Sequence, residues 1–413
     1  MKGARLLAGR ISGVAGALAL SQVLVGVMFI LAIRRITPTE LGSVTTTFAV
    51  GTIGATVFDF GLANLLVREL ASGRVARSTV LGMVRLKRRF IPLLIAPVAV
   101  VGLLLVPDPF PAALLSLVGA LLWEAGAMNA LLRATEQFTR AATAQVAGRT
   151  AGLLVTVLIL ALGDPTLALA AGLVVGYLGE AIIGRYFLGR SPGGAVSIAD
   201  GVAMQRRAAS FGLVSLSAVG QQLDTPLVTL GGGLTIAGLY SGAGRLLGPL
   251  LFLSSALALV GAPWLARAQG DLELLRAEER RVRRFSMVLA VAPLLAASVG
   301  PWVMPWILGP AFAASGWVLS VLAIGCTLST LNQGAATILQ NRGYEGTVGR
   351  AITIGLTTGL VTTYLFALTG SAAWAAAGFV LSQLYIQLHL AIRLRRPPTQ
   401  IASPQPPAAI TQP

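Results

Sequence analysis

Residues 206–262 read RRAASFGLVSLSAVGQQLDTPLVTLGGGLTIAGLYSGAGRLLGPLLFLSSALALVGA: two long apolar runs meeting at Gly231-Gly232-Gly233. At ~1.5 Å per helical residue, either run is long enough to cross a hydrocarbon core of ~30 Å. Asp224 lies inside the first run and Arg245 inside the second. Counted from the glycine turn, Asp224 sits ~12 Å and Arg245 ~16 Å deep, near the middle of a bilayer. A charge at that depth costs roughly 2.5–3.5 kcal/mol on insertion scales. Such groups persist where they face each other, a watery passage or a polar ligand.

The rest of the chain has the same character. Of 413 residues, 55% are hydrophobic and 11% charged, and the mean hydropathy is +0.80. A soluble domain carries about 25% charged residues, so this is an all-α integral membrane protein. Runs of spanning length fall near 11–33, 41–63, 90–106, 111–132, 141–162, 166–188, 208–230, 235–262, 285–307, 314–336, 350–368 and 371–393, twelve in all. Turn signals separate several of them: Thr37-Pro38-Thr39, Pro107-Asp108-Pro109, Gly163-Asp164-Pro165 and Gly309-Pro310. The first run is too long for the core of a signal peptide and ends in Ile33-Arg34-Arg35 without a small-residue cleavage site, so it reads as an uncleaved first span.

The net charge of +16 follows topology. Arg68, Arg74, Arg77, Arg85, Lys87, Arg88 and Arg89 occupy one connection. Arg133 with Arg140, the set Arg185 to Arg207, the set Arg267 to Arg284, Arg342 with Arg350, and Arg393 to Arg396 occupy every second connection after it. The alternate connections carry only Arg34 and Arg35. This is the positive-inside pattern of a multi-pass protein of the cytoplasmic membrane, with both termini cytoplasmic, and it removes the case for a nucleic-acid partner. Segments 72–89 and 271–284 read as amphipathic helices along the inner surface, the second with Glu279 and Arg283 spaced as an i,i+4 pair. The Pro-rich tail 397–413 reads as disordered. Cys326 and His389 are each the sole residue of their type, which offers no disulfide, no metal site and no cofactor ligand set.

The basic connection 185–207 divides the spans into two sets of six: residues 1–190, a linker 191–207, and residues 208–396. A shift of 196 residues lays Gly42 on Gly238, each opening the second span of its half. Two halves of six spans keep the same orientation, so an axis along the membrane normal relates them. Glycines recur at four-residue spacing at Gly172/Gly176, Gly238/Gly242, Gly244/Gly248 and Gly355/Gly359. That spacing serves close helix packing; beside Arg245 it also suits a cavity.

The sequence FDFGLANLLVRELA (58–71), following TPTELGSVTTTFAVGTIGATV, resembles the first-half signature of prokaryotic polysaccharide and oligosaccharide flippases. QQLDTPLVTLGGGLTIAGLYSGAGRLLGPL (221–250) is similar to their second-half signature, and ILGPAFAASGWVLSVLA (307–323) to the connection between spans 9 and 10. These flippases belong to the multidrug/oligosaccharidyl-lipid/polysaccharide exporter superfamily. The chain departs from the pattern at Thr225, where many members carry Arg, and in stopping at twelve spans. The resemblance implies two lobes set as a V around a cavity lined mainly by spans 1, 2, 7 and 8. It implies alternating access for a lipid-linked oligosaccharide of the undecaprenyl-pyrophosphate type, whose tail stays in membrane lipid. Arg is the natural partner of such a phosphate.

Arg245 is then either a phosphate-facing cation or the partner of Asp224, and Asp224 is either that partner or a carboxylate coupling a proton or a sodium ion. Gln221 and Gln222, within a turn of Asp224, are candidates for sugar hydroxyls. Glu124 and Arg149, at similar depth in spans 4 and 5, are expected to pair within the first lobe, Asp59 with Arg68, and Glu180 to sit near Arg185. No Gly-Lys-Ser/Thr loop is present for an ATP-driven pump, and the short external connections offer no catalytic domain, so an enzyme is not expected. The rival is a small-molecule exporter of the multidrug and toxin extrusion type, which would favour acidic and aromatic cavity residues; spans 1 and 2 have no carboxylate at their centres.

Overall fold

A computed structural model describes residues 2–189, 193–209, 211–212, 215, 219–268 and 271–395. Fourteen α-helices run through the described residues. The first half holds α1 (Lys2–Ile33), α2 (Pro38–Asp59), α3 (Leu62–Ala71), α4 (Arg77–Arg88), α5 (Ile91–Leu105), α6 (Pro109–Ala134), α7 (Phe138–Leu162) and α8 (Pro165–Leu188). After α9 (Ile198–Arg207) come α10 (Asp224–Arg267), α11 (Leu272–Leu308), α12 (Ser315–Asn341), α13 (Glu345–Ala367) and α14 (Ala372–Leu394). Eight helices are by themselves long and apolar enough to cross a membrane, and α4 with α5, bent by 41°, makes a ninth such unit. This is a multi-pass membrane protein of about twelve spans in two six-helix lobes. The tail 397–413 and the lobe junction at 190–192 lie outside the described residues, as do several positions between 210 and 218.

Local chemistry starts the helices where the turn signals predict. Thr37 accepts from the Glu40 backbone while the Glu40 carboxylate accepts from Thr37 N at 2.7 Å, a reciprocal cap with Pro38 in the first turn. Asp108 and Asp164 cap α6 and α8 in the same Asp-Pro setting. Each such cap contributes ~1 kcal/mol. Trp302, Trp306, Trp317 and Trp374 are exposed near those ends of α11, α12 and α14 that lie opposite the arginine-rich connections, as an interfacial aromatic belt does.

Three expectations change. The glycine triplet is not a turn of three residues: only Gly233 leaves the helix (φ 82, ψ 175), so α10 holds the end of span 7 and all of span 8 as two arms. Gly231 and Gly232 instead lie against α13, where an added Cβ would come within 2.9 Å of the Tyr364 carbonyl and 3.0 Å of that of Ala367. Segment 271–284 is no separate surface helix, because α11 runs unbroken for 37 residues. Glu279 there pairs with Arg342, just past the end of α12, at 2.6 Å, not with Arg283. Separately, α2 stops at Asp59, at a break before Gly61, where Phe60 (φ 42) and Gly61 (φ 75) are left-handed.

The lobes meet along α2 and the second arm of α10. Residues 196 apart face each other there. Thr39 and Thr235 share a hydrogen bond of 2.7 Å, and Thr45 donates to Ser241 at 2.9 Å. A Cβ on Gly42 would lie 1.9 Å from the Leu234 carbonyl, and one on Gly238 1.6 Å from that of Pro38. Pro38 and Leu234 are themselves 196 apart. Reciprocal contacts of i with i+196 are what a two-fold relation between halves requires. The apolar core is continuous through both lobes here, running from Met28 and Leu41 to Tyr240, Phe312 and Ala376.

Toward the arginine-rich side the lobes keep separate cores. Contact there is made by the start of span 7. Gly61 and Gly212 touch so closely that a Cβ on Gly61 would lie 2.2 Å from Gly212 N. The freed carbonyls at the end of α2 are capped from outside: Lys87 Nζ donates to Phe58 and, at 3.0 Å, to Asp59, and Gln205 Nε2 donates to Asp59 and Phe60, each at 3.2 Å. The Asp59 carboxylate accepts from Ala63 N at 3.1 Å and Trp123 Nε1 at 3.3 Å, while Arg68 pairs with Glu69 at 2.7 Å, in place of the expected Asp59–Arg68 pair.

Candidate functional site

Between these two contacts lies a cavity of about 390 Å³, and Gln221, Gln222, Asp224 and Arg245 all line it. A 3-10 turn, Gly220–Leu223, carries both glutamines and hands over to α10 at Asp224. The second arm of α10 contributes Tyr240, Ser241 and Arg245, and α2 contributes Thr45 and Phe48. The space exists because Gly244 and Gly248 have nothing within 4 Å of where a Cβ would stand. The other spaced glycines pack: Gly172 on the Gly152 carbonyl, Gly238 on Pro38, and Gly355 and Gly359 on Ile386 and Ser382.

Asp224 and Arg245 share the cavity wall without forming an ion pair; among the described residues no bridge within 4 Å involves either. Asp224 is satisfied locally. It accepts from Thr225 N at 2.6 Å, from the Thr225 hydroxyl at 3.2 Å and from the Tyr240 hydroxyl at 2.9 Å. Thr225, the departure from the flippase pattern, is thus part of the carboxylate's own cap. Arg245 reaches across the seam instead. Its guanidinium lies 4.1 Å from the ring centre of Phe29 and 4.9 Å from that of Phe48, residues of α1 and α2. Two aromatic faces hold the cation by their quadrupoles and leave its N–H groups free for an anion.

The expected Glu124–Arg149 pair does not form. Arg88 of α4 takes Glu124 with both its Nε, at 2.9 Å, and Nη2. Arg149 pairs with Glu180 at 2.8 Å, lies 3.8 Å from the Tyr177 ring centre, and shares Glu180 with Asn129. The cause is helix neighbourhood. Gly148 and Gly152 of α7 sit against Gly172, Gly176 and Glu180 of α8, so α7 turns its charged face to α8 and away from α6. Glu180 is thus held by Arg149 and Asn129, with no ion pair to Arg185 among the described residues.

The cavity lies nearer the second lobe than expected. Leu322 and Cys326 of α12, Leu356 and Thr363 of α13 and Ser382 of α14 face it, whereas among the described residues none of α1 lines it; α1 contributes the Phe29 ring beneath Arg245. Phe29, Phe48, Tyr240 and the hydroxyls of Thr45 and Ser241 carry no charge and were not singled out from sequence. Aligning the halves at the 196-residue offset would have marked Thr39/Thr235 and Thr45/Ser241 as matched hydroxyls.

Residues 30–315 match the model of a family described as polysaccharide biosynthesis protein. No protein of curated function matches the chain by sequence. Among solved structures, the lipid II flippase MurJ in an inward closed conformation superposes with a TM-score of 0.75 at 12% identity, over 93% of this chain and 87% of that one. An inward-facing multidrug resistance MATE family transporter of the MOP superfamily gives 0.64 at 15%, over 90% and 94%. A MOP superfamily transporter from Pyrococcus furiosus, with a binding pocket of reverse polarity, gives 0.52 at 15%, over 93% and 95%. At these identities the likeness is one of fold.

Proposed function

The chain belongs to the polysaccharide biosynthesis protein family, within the superfamily of MATE transporters and lipid flippases, and from that membership we propose that it flips a polyprenyl-pyrophosphate-linked oligosaccharide across the cytoplasmic membrane. The observation that carries this reading is Arg245: a guanidinium in a cavity between two lobes, held on aromatic faces and without an ion pair among the described residues. A pyrophosphate is the group such a site attracts, and a cationic drug is one it repels. Gln221 and Gln222 offer amide donors and acceptors for sugar hydroxyls on the same wall. The polyprenyl tail stays in lipid while the head group passes. The arginine-rich side is cytoplasmic under the positive-inside rule. On this reading the α2–α10 seam closes the outer side and must part to release cargo.

The test is flipping in proteoliposomes carrying an undecaprenyl-pyrophosphate oligosaccharide. Loss of charge-assisted bonds worth about 1.5–3 kcal/mol predicts a drop of roughly 10- to 150-fold for Arg245→Ala, with Arg245→Lys in between. Normal flipping by Arg245→Ala at normal protein level removes the cation from the mechanism. Efflux of cationic dyes with no flipping would favour the multidrug exporter. Asp224 is the cavity's carboxylate and so the candidate for proton or sodium coupling; rates indifferent to both gradients would exclude it from that role.

A further inference from the structure

A second cavity, about 720 Å³, opens on the flank of the first lobe and shares no lining residue with the central one. Arg85 and Arg88 of α4 and Arg185 and Tyr186 of α8 line it, with Ile182 and Met128 among its apolar walls. It sits at the arginine-rich ends of α6 and α8: Arg185 and Tyr186 are in the last turn of α8, and Met128 is ~9 Å back from the end of α6. Glu124 is committed to Arg88. Arg85 and Arg185 are exposed and, among the described residues, have no acidic partner within 4 Å. The two helices that carry them are tied together, because Arg77 of α4 donates to the Leu188 carbonyl at the end of α8. Ile182 and Tyr186 are strongly exposed on the same outer face.

We infer that this pocket is a binding site for the phosphate head group of an anionic glycerophospholipid. Two unpaired guanidinia on a pre-tied wall match phosphodiester oxygens. The apolar residues continue from them toward the hydrocarbon, where acyl chains would lie. The arginine-rich side faces the leaflet whose surface potential is negative, and basic pockets between spans on that side are suited to such head groups. A zwitterionic lipid brings its own ammonium and loses the advantage. The inference stands apart from the central cavity and does not depend on the cargo assigned to it.

Native mass spectrometry on the purified full-length protein tests it, with phosphatidylglycerol, phosphatidylcholine and inorganic phosphate as probes. The wild type should retain phosphatidylglycerol about tenfold better than phosphatidylcholine, and Arg85→Gln/Arg185→Gln should bring the two level. Ile182→Trp, which fills the apolar wall without touching charge, should also weaken retention of phosphatidylglycerol. Equal retention by the wild type and the double variant would overturn the site. Complete displacement of phosphatidylglycerol by millimolar inorganic phosphate would make it a free-phosphate site and overturn the lipid assignment. So would a double variant that keeps phosphatidylglycerol but loses undecaprenyl pyrophosphate, which would mark the pocket as a vestibule for cargo.

Discussion

Two arginines within the spans solve the same problem differently. Arg149 is nearly buried, bound to Glu180 at 2.8 Å and stacked on Tyr177, all within one lobe. Arg245 has aromatic faces and, among the described residues, no anion within 4 Å, and it crosses from one lobe to the other. Removing one partner of a buried pair leaves an uncompensated charge and costs about 3–5 kcal/mol. Arg149→Met should therefore lower the thermal unfolding midpoint in detergent sharply, and Arg149→Met/Glu180→Met should recover much of the loss. Arg245→Ala forfeits only a cation–π term of about 0.5–2 kcal/mol. Its folding should survive while transport fails, and a collapse of expression would contradict that. Depth along a helix was readable from sequence for these groups. Direction around the helix was not, which is why Glu124 met Arg88 and Arg149 met Glu180.

Glycines show how much an element's role depends on its neighbours. Gly233 sits at φ 82 and ψ 175, a region almost closed to other residues. Gly233→Ala should cost about 1–3 kcal/mol, read as a lowered unfolding midpoint. Gly244 faces open cavity. Gly244→Ala should therefore keep or raise stability, since Ala is the better helix former by roughly 0.5–1 kcal/mol. It should at the same time slow transport by narrowing the passage; an unchanged flipping rate would mean that cargo does not pass that wall. From sequence these positions are alike, glycines in apolar runs. The backbone turn at one and the missing neighbour at the other appear only when the helices are packed.

Across the molecule, the two halves touch through pairs such as Thr39 with Thr235, whose hydroxyls are 2.7 Å apart. Hydroxyl bonds and backbone contact at Gly42 and Gly238 make a seam with no ion pair among the described residues, so little electrostatic energy opposes its opening. Thr39→Cys/Thr235→Cys should form a disulfide that stops transport, and reduction should restore it. Undiminished transport by the crosslinked protein would show that this seam need not part.

Membrane residence, the number of spans, the duplicated halves and the positions of Asp224 and Arg245 all follow from one-dimensional properties: apolar length, alternating positive charge and a 196-residue offset. Those properties act along the chain, so no fold is needed to read them. Which group each charge meets, where the glycines leave space and which lobe holds the cavity are properties of facing surfaces. They depend on the rotation of each helix and on which neighbour it packs against, and that choice is made by contacts between residues far apart in sequence.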